Sequence, residues 1–190
     1  MELSNLYAVE ALDGVGKTTV VDALQEKGFK ILRTPPDSMR SYREVFEHED
    51  LRIRFLYYLT GVIYAGLEAK DIEVGQQVIT DRYLLTTVSA HQAMGLDETY
   101  ITSFMPLINS IPIPEKTFIL TCDEDERMRR MVMRPGGANK VDLANLVIND
   151  QIMNGYYKWS KRLGHKLVQI DTTQITPDLV VEEILRNING

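Results

Sequence analysis

The stretch that decides the fold follows a short apolar run at residues 6–9 and reads Glu10-Ala11-Leu12-Asp13-Gly14-Val15-Gly16-Lys17-Thr18-Thr19. It matches the phosphate-binding pattern G-x-x-x-x-G-K-[ST], except that Ala11 stands at the first glycine. In such a loop, backbone N–H groups and the N-terminus of the following helix surround a phosphate. Lys17 would reach the β- and γ-phosphates, and the Thr18 hydroxyl would ligate Mg²⁺. The motif therefore predicts a nucleoside triphosphate site directly after the first strand.

Ala11 is the departure from this pattern, because its methyl group would resist the positive φ that a glycine accepts. Whether it weakens triphosphate binding is open at the level of sequence. The alternative interpretation of the stretch is a glycine-rich turn between a strand and a helix that holds no ligand. The strand, loop and helix that should surround a true phosphate loop are all indicated here, which favours binding.

Four further apolar runs resemble the first, at residues 29–32, 77–80, 117–120 and 167–170. Short, nearly continuous apolar runs are typical of parallel strands that are buried on both faces. Helical spacing of apolar residues lies between them, at residues 20–27, 42–74, 143–163 and 177–188. This alternation predicts a three-layer α/β domain with a five-stranded parallel sheet. Ligands of such sheets bind at the carboxyl ends of the strands.

Composition excludes several classes of protein. The 190 residues carry a net charge of −6, and 44% are hydrophobic, so neither a protein that coats nucleic acid nor a disordered chain is expected. Cys122 is the single cysteine, which excludes an internal disulfide framework and fits a reducing cytoplasm. No signal peptide and no apolar run long enough to span a membrane is apparent, so no membrane partner is expected. The length suits one domain over residues 1–190.

The motifs together resemble the thymidylate kinase family of P-loop nucleoside and nucleotide kinases. An acidic residue, Asp13, precedes the loop glycine, and Asp81-Arg82-Tyr83 matches the Asp-Arg-(Tyr/His) motif of the family after the third strand. Arg33-Thr34-Pro35 stands where the family usually shows Arg-Glu-Pro. Arg130 and Arg134 match its paired lid arginines on a short helical lid at about residues 123–140, and residues 171–174 follow the fifth strand, where related kinases hold adenine. Val15 replaces an arginine of the loop, as in the branch whose catalytic arginine comes from the lid.

The resemblance implies Mg²⁺ and ATP as cofactor and donor, and it implies a role for each matching residue. The implied catalytic residues are Lys17, Asp81, Arg82, Arg130 and Arg134. The implied ATP-binding residues are Asp13, Gly14, Val15, Gly16, Lys17, Thr18, Thr19, Thr172 and Thr173. Thr18 and Asp81 would hold Mg²⁺, partly through water. The implied acceptor-binding residues are Asp13, Arg33, Pro35, Tyr57, Arg82 and Thr87.

Each role has a structural alternative. Asp81 and Arg82 could form an ion pair with no function, and the stretch 123–130 could be a solvated helix with acids at its start and bases at its end. That account does not explain why the four basic places from Arg127 to Arg134 all hold arginine rather than lysine. Thr172 and Thr173 could form a helix-capping turn instead of touching adenine.

The acceptor side departs from the family at two positions. Aligned on Asp81, the arginine that contacts the acceptor falls at Gly61, and an aromatic residue near the base falls at Ala90. Either another arginine substitutes, or the acceptor differs from dTMP and fits a pocket opened at both positions. The upstream arginines are Arg40, Arg43, Arg52 and Arg54, and the tyrosines that could line the pocket are Tyr57, Tyr58 and Tyr64.

The predicted reaction is transfer of the γ-phosphoryl group of ATP to a nucleoside monophosphate, with dTMP as first choice. A kinase of nucleosides or other small molecules on the same scaffold is the first alternative, and an inactive ATP-binding regulatory protein is the second. The family also implies a homodimer formed through long helices, for which the apolar stretch 55–67 is the support. His48, His91 and His165 show no metal-like spacing and are interpreted as surface or helix histidines, with contact between His91 and the acceptor as the alternative.

Overall fold

The sheet is the centre of the molecule. A computed structural model describes residues 2–134 and 146–190 and contains five parallel strands in the order β2-β3-β1-β4-β5. Their bounds are β1 (Glu2–Ala11), β2 (Lys30–Arg33), β3 (Val78–Asp81), β4 (Ile113–Thr121) and β5 (Leu167–Asp171). The predicted five-stranded parallel sheet is confirmed. Register pairs Val9 with Asp81 and with Phe118, so the ends of β1, β3 and β4 meet at one edge.

The helices connect the strands and cover both faces of the sheet. In chain order they are α1 (Lys17–Glu26), α2 (Asp37–Arg40), α3 (Arg43–Glu47), α4 (Leu51–Asp71), α5 (Leu84–Ala93), α6 (Glu98–Ser103), α7 (Met105–Ile108), α8 (Glu124–Met133), α9 (Asn149–Leu163) and α10 (Pro177–Asn189). A turn of 3₁₀ helix, Leu146–Ile148, precedes α9. Among these described residues, no helix combines the length and the apolar character needed to cross a lipid bilayer.

Two apolar cores lie on opposite faces of the sheet. One contains Leu6 and Ala8 of β1 together with buried residues of α4, α5 and α9, and the other contains Tyr7 and Val9 together with those of α1 and α10. Alternate residues of β1 thus contribute to both cores, as expected for a strand that is buried on both faces. The predicted helices are confirmed at 177–188, where the Thr176 side chain accepts from the Leu179 backbone N–H, and within 42–74, which contains the two helices α3 and α4.

Helices α5 to α7 were not predicted from helical spacing, and α5 shows why. This helix buries polar residues as well as apolar ones, since Thr87, Ser89 and His91 are as inaccessible as Leu85 and Val88. A helix that is buried on most of its surface has no polar stripe, so its sequence carries little amphipathic signal. Its buried polar groups lie beside the candidate site.

The structure describes only the first part of the predicted lid. Helix α8 occupies the first part of the stretch 123–140, with three acids in its first turn and Arg130 in its last. The remainder of the predicted lid, which includes the Pro135-Gly136-Gly137-Ala138 stretch, lies outside the described residues.

Candidate active site

The phosphate loop joins β1 to α1 in the manner that the motif predicts. Gly14 and Gly16 have φ values of 88° and 99°, which side chains rarely adopt, and Gly16 forms the N-cap of α1. A Cβ at Gly14 would also lie 2.5 Å from the Met131 side chain of α8. Ala11 is different, because it is the last residue of β1, pairs with Leu120 and is not among the residues with positive φ. Its methyl group therefore lies in the buried sheet and causes none of the backbone strain expected for this position.

Lys17 and Asp81 meet where β1 and β3 end. The Lys17 Nζ forms an ion pair with Asp81 Oδ1, and both side chains are largely buried. Burial lowers the pKa of Lys17, as does the nearby Arg82, although the charge of Asp81 opposes the shift. The structure thus brings together the lysine and the carboxylate that the two separate motifs predicted.

Arg82 crosses from the end of β3 to the phosphate loop. Its Nη1 donates to the Ala11 carbonyl at 2.7 Å, and its Nη2 donates to Asp13 Oδ1 at 2.5 Å. Its backbone φ is 62°, the only positive value of a non-glycine residue in the described part of the chain. Such a conformation costs free energy and is common at functional sites, where surrounding contacts maintain it. Asp13 therefore holds the guanidinium of Arg82, one of the implied catalytic and acceptor-binding residues.

Glu10 is a functional candidate that sequence reasoning did not identify. This residue is completely buried, and its carboxyl group accepts from the backbone N–H groups of Tyr83 and Thr86 at 3.1 and 3.2 Å and from the Thr86 hydroxyl. Burial raises the pKa of Glu10, while the hydrogen bonds from Thr86 oppose the rise. The carboxyl group fixes the start of α5 directly after Asp81 and Arg82. An acidic residue inside an apolar strand was the signal that could have revealed it.

The loop after β2 lies against the same strand ends. Thr34, where the family usually has glutamate, donates from Oγ1 to the Arg82 carbonyl at 3.0 Å, and the Thr34–Pro35 peptide is cis. Pro35 packs on Gly61 of α4, so that a Cβ at Gly61 would lie 2.9 Å from the Pro35 Cα. The expectation that Gly61 opens the acceptor pocket is therefore wrong, because the proline fills that space.

A cavity of about 320 Å³, which we call the strand-end cavity, extends from the phosphate loop toward α3 and α4. Lys17, Thr18, Asp81 and Arg82 line one end of it. Arginines line the remainder, and these are Arg33, Arg40, Arg43 and Arg54. The carboxylates in its lining are Asp13 and Asp81, and Asp22, Asp37 and Glu47 pair with three of the arginines from outside it. The lining is therefore rich in guanidinium groups, which suit phosphate oxygens. Arg52 does not line this cavity and instead forms an exposed ion pair with Asp50.

The predicted acceptor residues divide into those that line this cavity and one that does not. Arg33, Pro35 and Thr87 line it. Tyr57 does not, because its ring stacks on Phe46 and its hydroxyl donates to the Met39 carbonyl at 2.9 Å. The lining tyrosine of α4 is Tyr58, the next residue along the helix. Tyr64 is half exposed and is also absent from the lining, whereas Ala90 is present in it.

A second cavity of about 240 Å³, the loop-side cavity, lies on the other side of the phosphate loop. Its apolar wall includes Val15, Val20 and Ile175, and Thr19 and Thr172 also line it. The Thr172 hydroxyl lies 3.0 Å from the Val15 carbonyl, so the loop after β5 is tied to the phosphate loop. A flat aromatic base suits such an apolar wall.

Thr173 has a different role from its neighbour. Its hydroxyl bonds to Asp171 Oδ1, and the Asp123 backbone N–H donates to it at 2.9 Å, so that it joins the β5 loop to the N-cap of α8. Thr172 therefore lines the loop-side cavity, whereas Thr173 forms a turn that caps α8.

The two predicted lid arginines, Arg130 and Arg134, do not line the strand-end cavity with Lys17. Arg130 lines the loop-side cavity, where its guanidinium donates to the Val15 carbonyl at 2.9 Å and to the Thr172 carbonyl at 2.7 Å. Arg134 is the C-cap of α8 and lines neither of the two cavities. In this structure, Arg130 thus connects the phosphate loop to the β5 loop instead of approaching the γ-phosphate side.

Arg127 is a lid arginine that was not assigned a site role. It is 2% exposed, pairs with Glu124, and donates from Nη1 to the Asp13 carbonyl at 2.8 Å. The preference for arginine throughout this helix was the available signal, since a guanidinium can bond to several groups at once.

The residues present fit Mg²⁺-ATP. Thr18 and Asp81 line the strand-end cavity beside Lys17, and a hydroxyl and a carboxylate are oxygen ligands of the kind that Mg²⁺ prefers. The start of α1 and the loop glycines provide backbone N–H groups for phosphate oxygens. When bound, the metal would neutralise phosphate charge during transfer.

Comparison with known proteins agrees with this geometry. The family model described as Thymidylate kinase matches residues 9–184. A thymidylate kinase of Geobacillus thermodenitrificans is 25% identical, with 94% of this chain and 87% of the relative covered. The solved thymidylate kinase of Candida albicans has a TM-score of 0.76 at 17% identity, covering 97% of this chain and 91% of the other. A deoxyadenosine kinase of M. mycoides with bound dATP has a TM-score of 0.71 at 18% identity, covering 97% and 99%. The resemblance read from the motifs is confirmed: the chain belongs to the thymidylate kinase family of ATP-dependent nucleoside monophosphate kinases.

Proposed function

We propose that this protein transfers the γ-phosphoryl group of Mg²⁺-ATP to dTMP, releasing dTDP and ADP. Membership of the family supports ATP as the donor, and the strand-end cavity supports a phosphorylated acceptor. The observation that carries the proposal is that Lys17, Asp81 and Arg82 stand at one end of a cavity whose other walls carry four more arginines.

The donor half of the proposal follows from the phosphate loop. Phosphoryl transfer requires positioning and charge neutralisation more than covalent chemistry. Lys17 is placed to contact the β- and γ-phosphates, with Thr18 and Asp81 as candidate Mg²⁺ ligands. The adenine base would occupy the loop-side cavity, between Val15 and the β5 loop.

The acceptor half follows from the arginines. Arg33, Arg40 and Arg43 line the same cavity as Arg82. A guanidinium forms paired, charge-assisted hydrogen bonds with phosphate oxygens. Asp22, Asp37 and Glu47 pair with these arginines in the structure. A phosphate group could share or replace these partners, whereas an uncharged nucleoside could not, so a monophosphate is the better fit. Arg82, held by Asp13, is placed to contact both phosphates.

Two rival functions remain testable. A nucleoside kinase would use the same donor site, and the fold likeness to a deoxyadenosine kinase is compatible with it. An inactive regulatory protein would bind ATP without turnover, but the Lys17–Asp81 pair and the strained Arg82 support catalysis.

The experiment that separates these functions is an ADP-release assay over deoxynucleosides and their monophosphates. We expect the highest kcat/KM with dTMP and little turnover of thymidine. Turnover of nucleosides in preference to monophosphates would establish the first rival, and ATP binding without turnover of any acceptor would establish the second.

The remaining parts of the proposal concern assembly, organisation and location. We infer a homodimer formed through α4, because Tyr64 and Leu67 expose 50% and 54% of their surface on this long helix. We also propose one kinase domain over residues 1–190 with the lid at about 123–140. A cytoplasmic location is supported by the single, free cysteine, Cys122.

A further inference from the structure

Helix α8 packs on the phosphate loop through its two buried residues. These are Arg127 and Met131, which lie one helical turn apart and are 2% and 0% exposed. Both side chains lie against Gly14, since a Cβ built on this glycine would be 2.5 Å from Met131 Cγ and 3.1 Å from Arg127 Cγ. The aliphatic part of Arg127 therefore supports the loop at a residue whose φ is 88°.

The guanidinium of Arg127 extends from this contact to the loop backbone. Its Nη1 donates to the Asp13 carbonyl at 2.8 Å, while its Nε and Nη2 donate to the two carboxylate oxygens of Glu124 at 2.9 and 2.6 Å. The paired bonds to Glu124 fix the plane of the guanidinium, which directs Nη1 at one carbonyl. A buried guanidinium costs free energy unless its N–H groups are bonded, and these bonds supply that compensation.

The bond to the Asp13 carbonyl sets the direction of the next N–H group. The peptide between Asp13 and Gly14 is trans and planar, so its C=O and N–H point in opposite directions. Because the carbonyl points at α8, the Gly14 N–H points away from α8. This N–H donates to no group in the described part of the chain. In phosphate loops, backbone N–H groups of this kind bond to phosphate oxygens.

Arg130 bonds to a second peptide of the loop in the same way. Its Nη1 donates to the Val15 carbonyl at 2.9 Å, so the Gly16 N–H is also directed away from α8. Within the described residues the Gly16 N–H likewise has no acceptor. Two arginines of one helix thus orient two peptides of the loop, and each orients the N–H of a glycine with positive φ.

We propose that Arg127 is a positioning residue of the donor site, which holds the Asp13–Gly14 peptide so that the Gly14 N–H bonds to the β-phosphate of ATP or ADP. The inference rests on the donor half of the proposed function. N–H donors that are already oriented stabilise phosphate charge without the cost of rearranging the loop when the nucleotide binds. The role of Arg127 differs from that of Lys17, because Arg127 contacts the loop backbone and not the nucleotide.

A purely structural role for Arg127 would be to attach α8 to the loop. Loss of that attachment would displace Arg130 as well, so Gly14 and Gly16 would be affected alike. Loss of the bond to Asp13 alone would change Gly14 and leave Gly16, which Arg130 still orients. The two glycines therefore separate the two roles.

The experiment follows the amide resonances of Gly14 and Gly16 by NMR while Mg²⁺-ADP is added to protein that is isotope-labelled at glycine nitrogen. Additional labelling of aspartate carbonyls identifies Gly14, because Asp13–Gly14 is the single Asp-Gly pair in the sequence. Labelling of valine carbonyls marks Gly16 and Gly75, of which Gly16 lies in the loop. In the wild type, we expect both loop resonances to shift downfield as bonds from N–H to phosphate form.

Arg127→Met should abolish the downfield shift of Gly14 on addition of ADP and retain that of Gly16. Titration calorimetry should show ADP binding about tenfold more weakly, because a hydrogen bond to a charged group is lost. Arg186→Met is the matched control, since Arg186 also pairs with a glutamate three residues earlier but lies exposed on α10 and lines neither cavity. This control should show both shifts and the wild-type affinity for ADP.

Thermal melting verifies that the variants fold. If Arg127→Met does not fold, Arg127→Gln replaces it with the same expected result. The glutamine amide keeps a polar group at the buried position near Glu124, but it is too short to reach the Asp13 carbonyl.

A Gly14 resonance that shifts in Arg127→Met as it does in the wild type would overturn the proposal, as would joint loss of the Gly14 and Gly16 shifts. A wild-type Gly14 resonance that does not respond to ADP would overturn it as well. Turnover is a separate result: a protein that shows the expected shifts but phosphorylates no acceptor would contradict the proposed function, while the shifts would still support the role of Arg127 in binding ADP.

Discussion

The backbone of Pro35 fills the space beside Gly61. A Cβ built on Gly61 would lie 2.9 Å from the Pro35 Cα and 3.0 Å from the Pro35 Cβ. This contact fixes the loop after β2 against α4, and that loop in turn contacts Arg82 through Thr34. The absence of a side chain at position 61 is therefore a packing requirement of the acceptor side.

Gly61→Ala should destabilise the protein by about 1–3 kcal/mol, because the methyl group can be accommodated only if the Pro35 backbone moves. The same displacement should raise KM for the acceptor more than KM for ATP. Denaturant unfolding and steady-state kinetics measure the two effects. Thr60→Ala, at the exposed neighbouring position, is the control. Unchanged stability of Gly61→Ala would show that the loop is not held by this contact.

Lys17→Ala should reduce kcat by about 10³-fold, because the lysine supplies charge directly at the transferring phosphate. The fold should persist, since Lys17 lies at the start of α1 and its side chain contributes to no apolar core. Phosphoryl transfer is followed by ADP release, and folding by circular dichroism. Lys27→Ala, at the exposed end of the same helix, should retain full activity. An active Lys17→Ala enzyme would contradict the assignment of Lys17 to the donor site.

Glu10→Gln should destabilise the protein by about 1–3 kcal/mol and lower kcat. The amide oxygen can still accept from the Tyr83 and Thr86 backbone N–H groups, but the amide nitrogen replaces the oxygen that accepts from the Thr86 hydroxyl. The start of α5 would shift, and with it Asp81 and Arg82. Chemical denaturation and kcat at saturating substrates test this expectation. The exposed Glu182→Gln is a suitable control, and a kcat equal to the wild-type value would show that Glu10 does not position the site.

The free energy of unfolding should decrease as the pH falls from about 6.5 to about 4, owing to two buried histidines. Burial lowers the pKa of both His91 and His165 to about 4 in the folded state. Between these limits the unfolded chain binds the proton and the folded one does not, so each histidine contributes up to about 1.4 kcal/mol per pH unit.

His165→Asn isolates one of these contributions, because His165 lies at Thr117, away from both cavities. Its unfolding free energy should depend on pH less steeply than that of the wild type across this range, by about one bound proton. Equal slopes for His165→Asn and the wild type would contradict the assignment.

The features that were predicted from the sequence are those determined by local pattern. The five strands and the phosphate loop follow from short apolar runs and from a motif of adjacent residues, and the meeting of Lys17 with Asp81 follows from the rule that parallel strands end at one edge. The acceptor side depended on contacts that no local pattern encodes. Tyr57 and Tyr58 differ by one position on α4, and only the packing of α3 decides which of them faces the cavity.

The position of the arginines was also not predictable from spacing. Gly61 suggested an open pocket, but the loop that fills it comes from a separate part of the chain. Arg54 was one of four candidate arginines for the acceptor site. It lines the strand-end cavity, whereas Arg52 forms an exposed ion pair with Asp50. His91 lies in a helix whose polar residues are buried, so no amphipathic period distinguished it.

Asp13 is held by hydrogen bonds both to its backbone and to its side chain. Its backbone carbonyl accepts from Arg127 of the lid helix, and its carboxylate accepts from Arg82 of the acceptor side. Asp13 thus links α8 to Arg82, and we expect a movement of α8 to change the position of Arg82. We therefore expect the two substrates to bind cooperatively, each increasing the affinity for the other by the same factor.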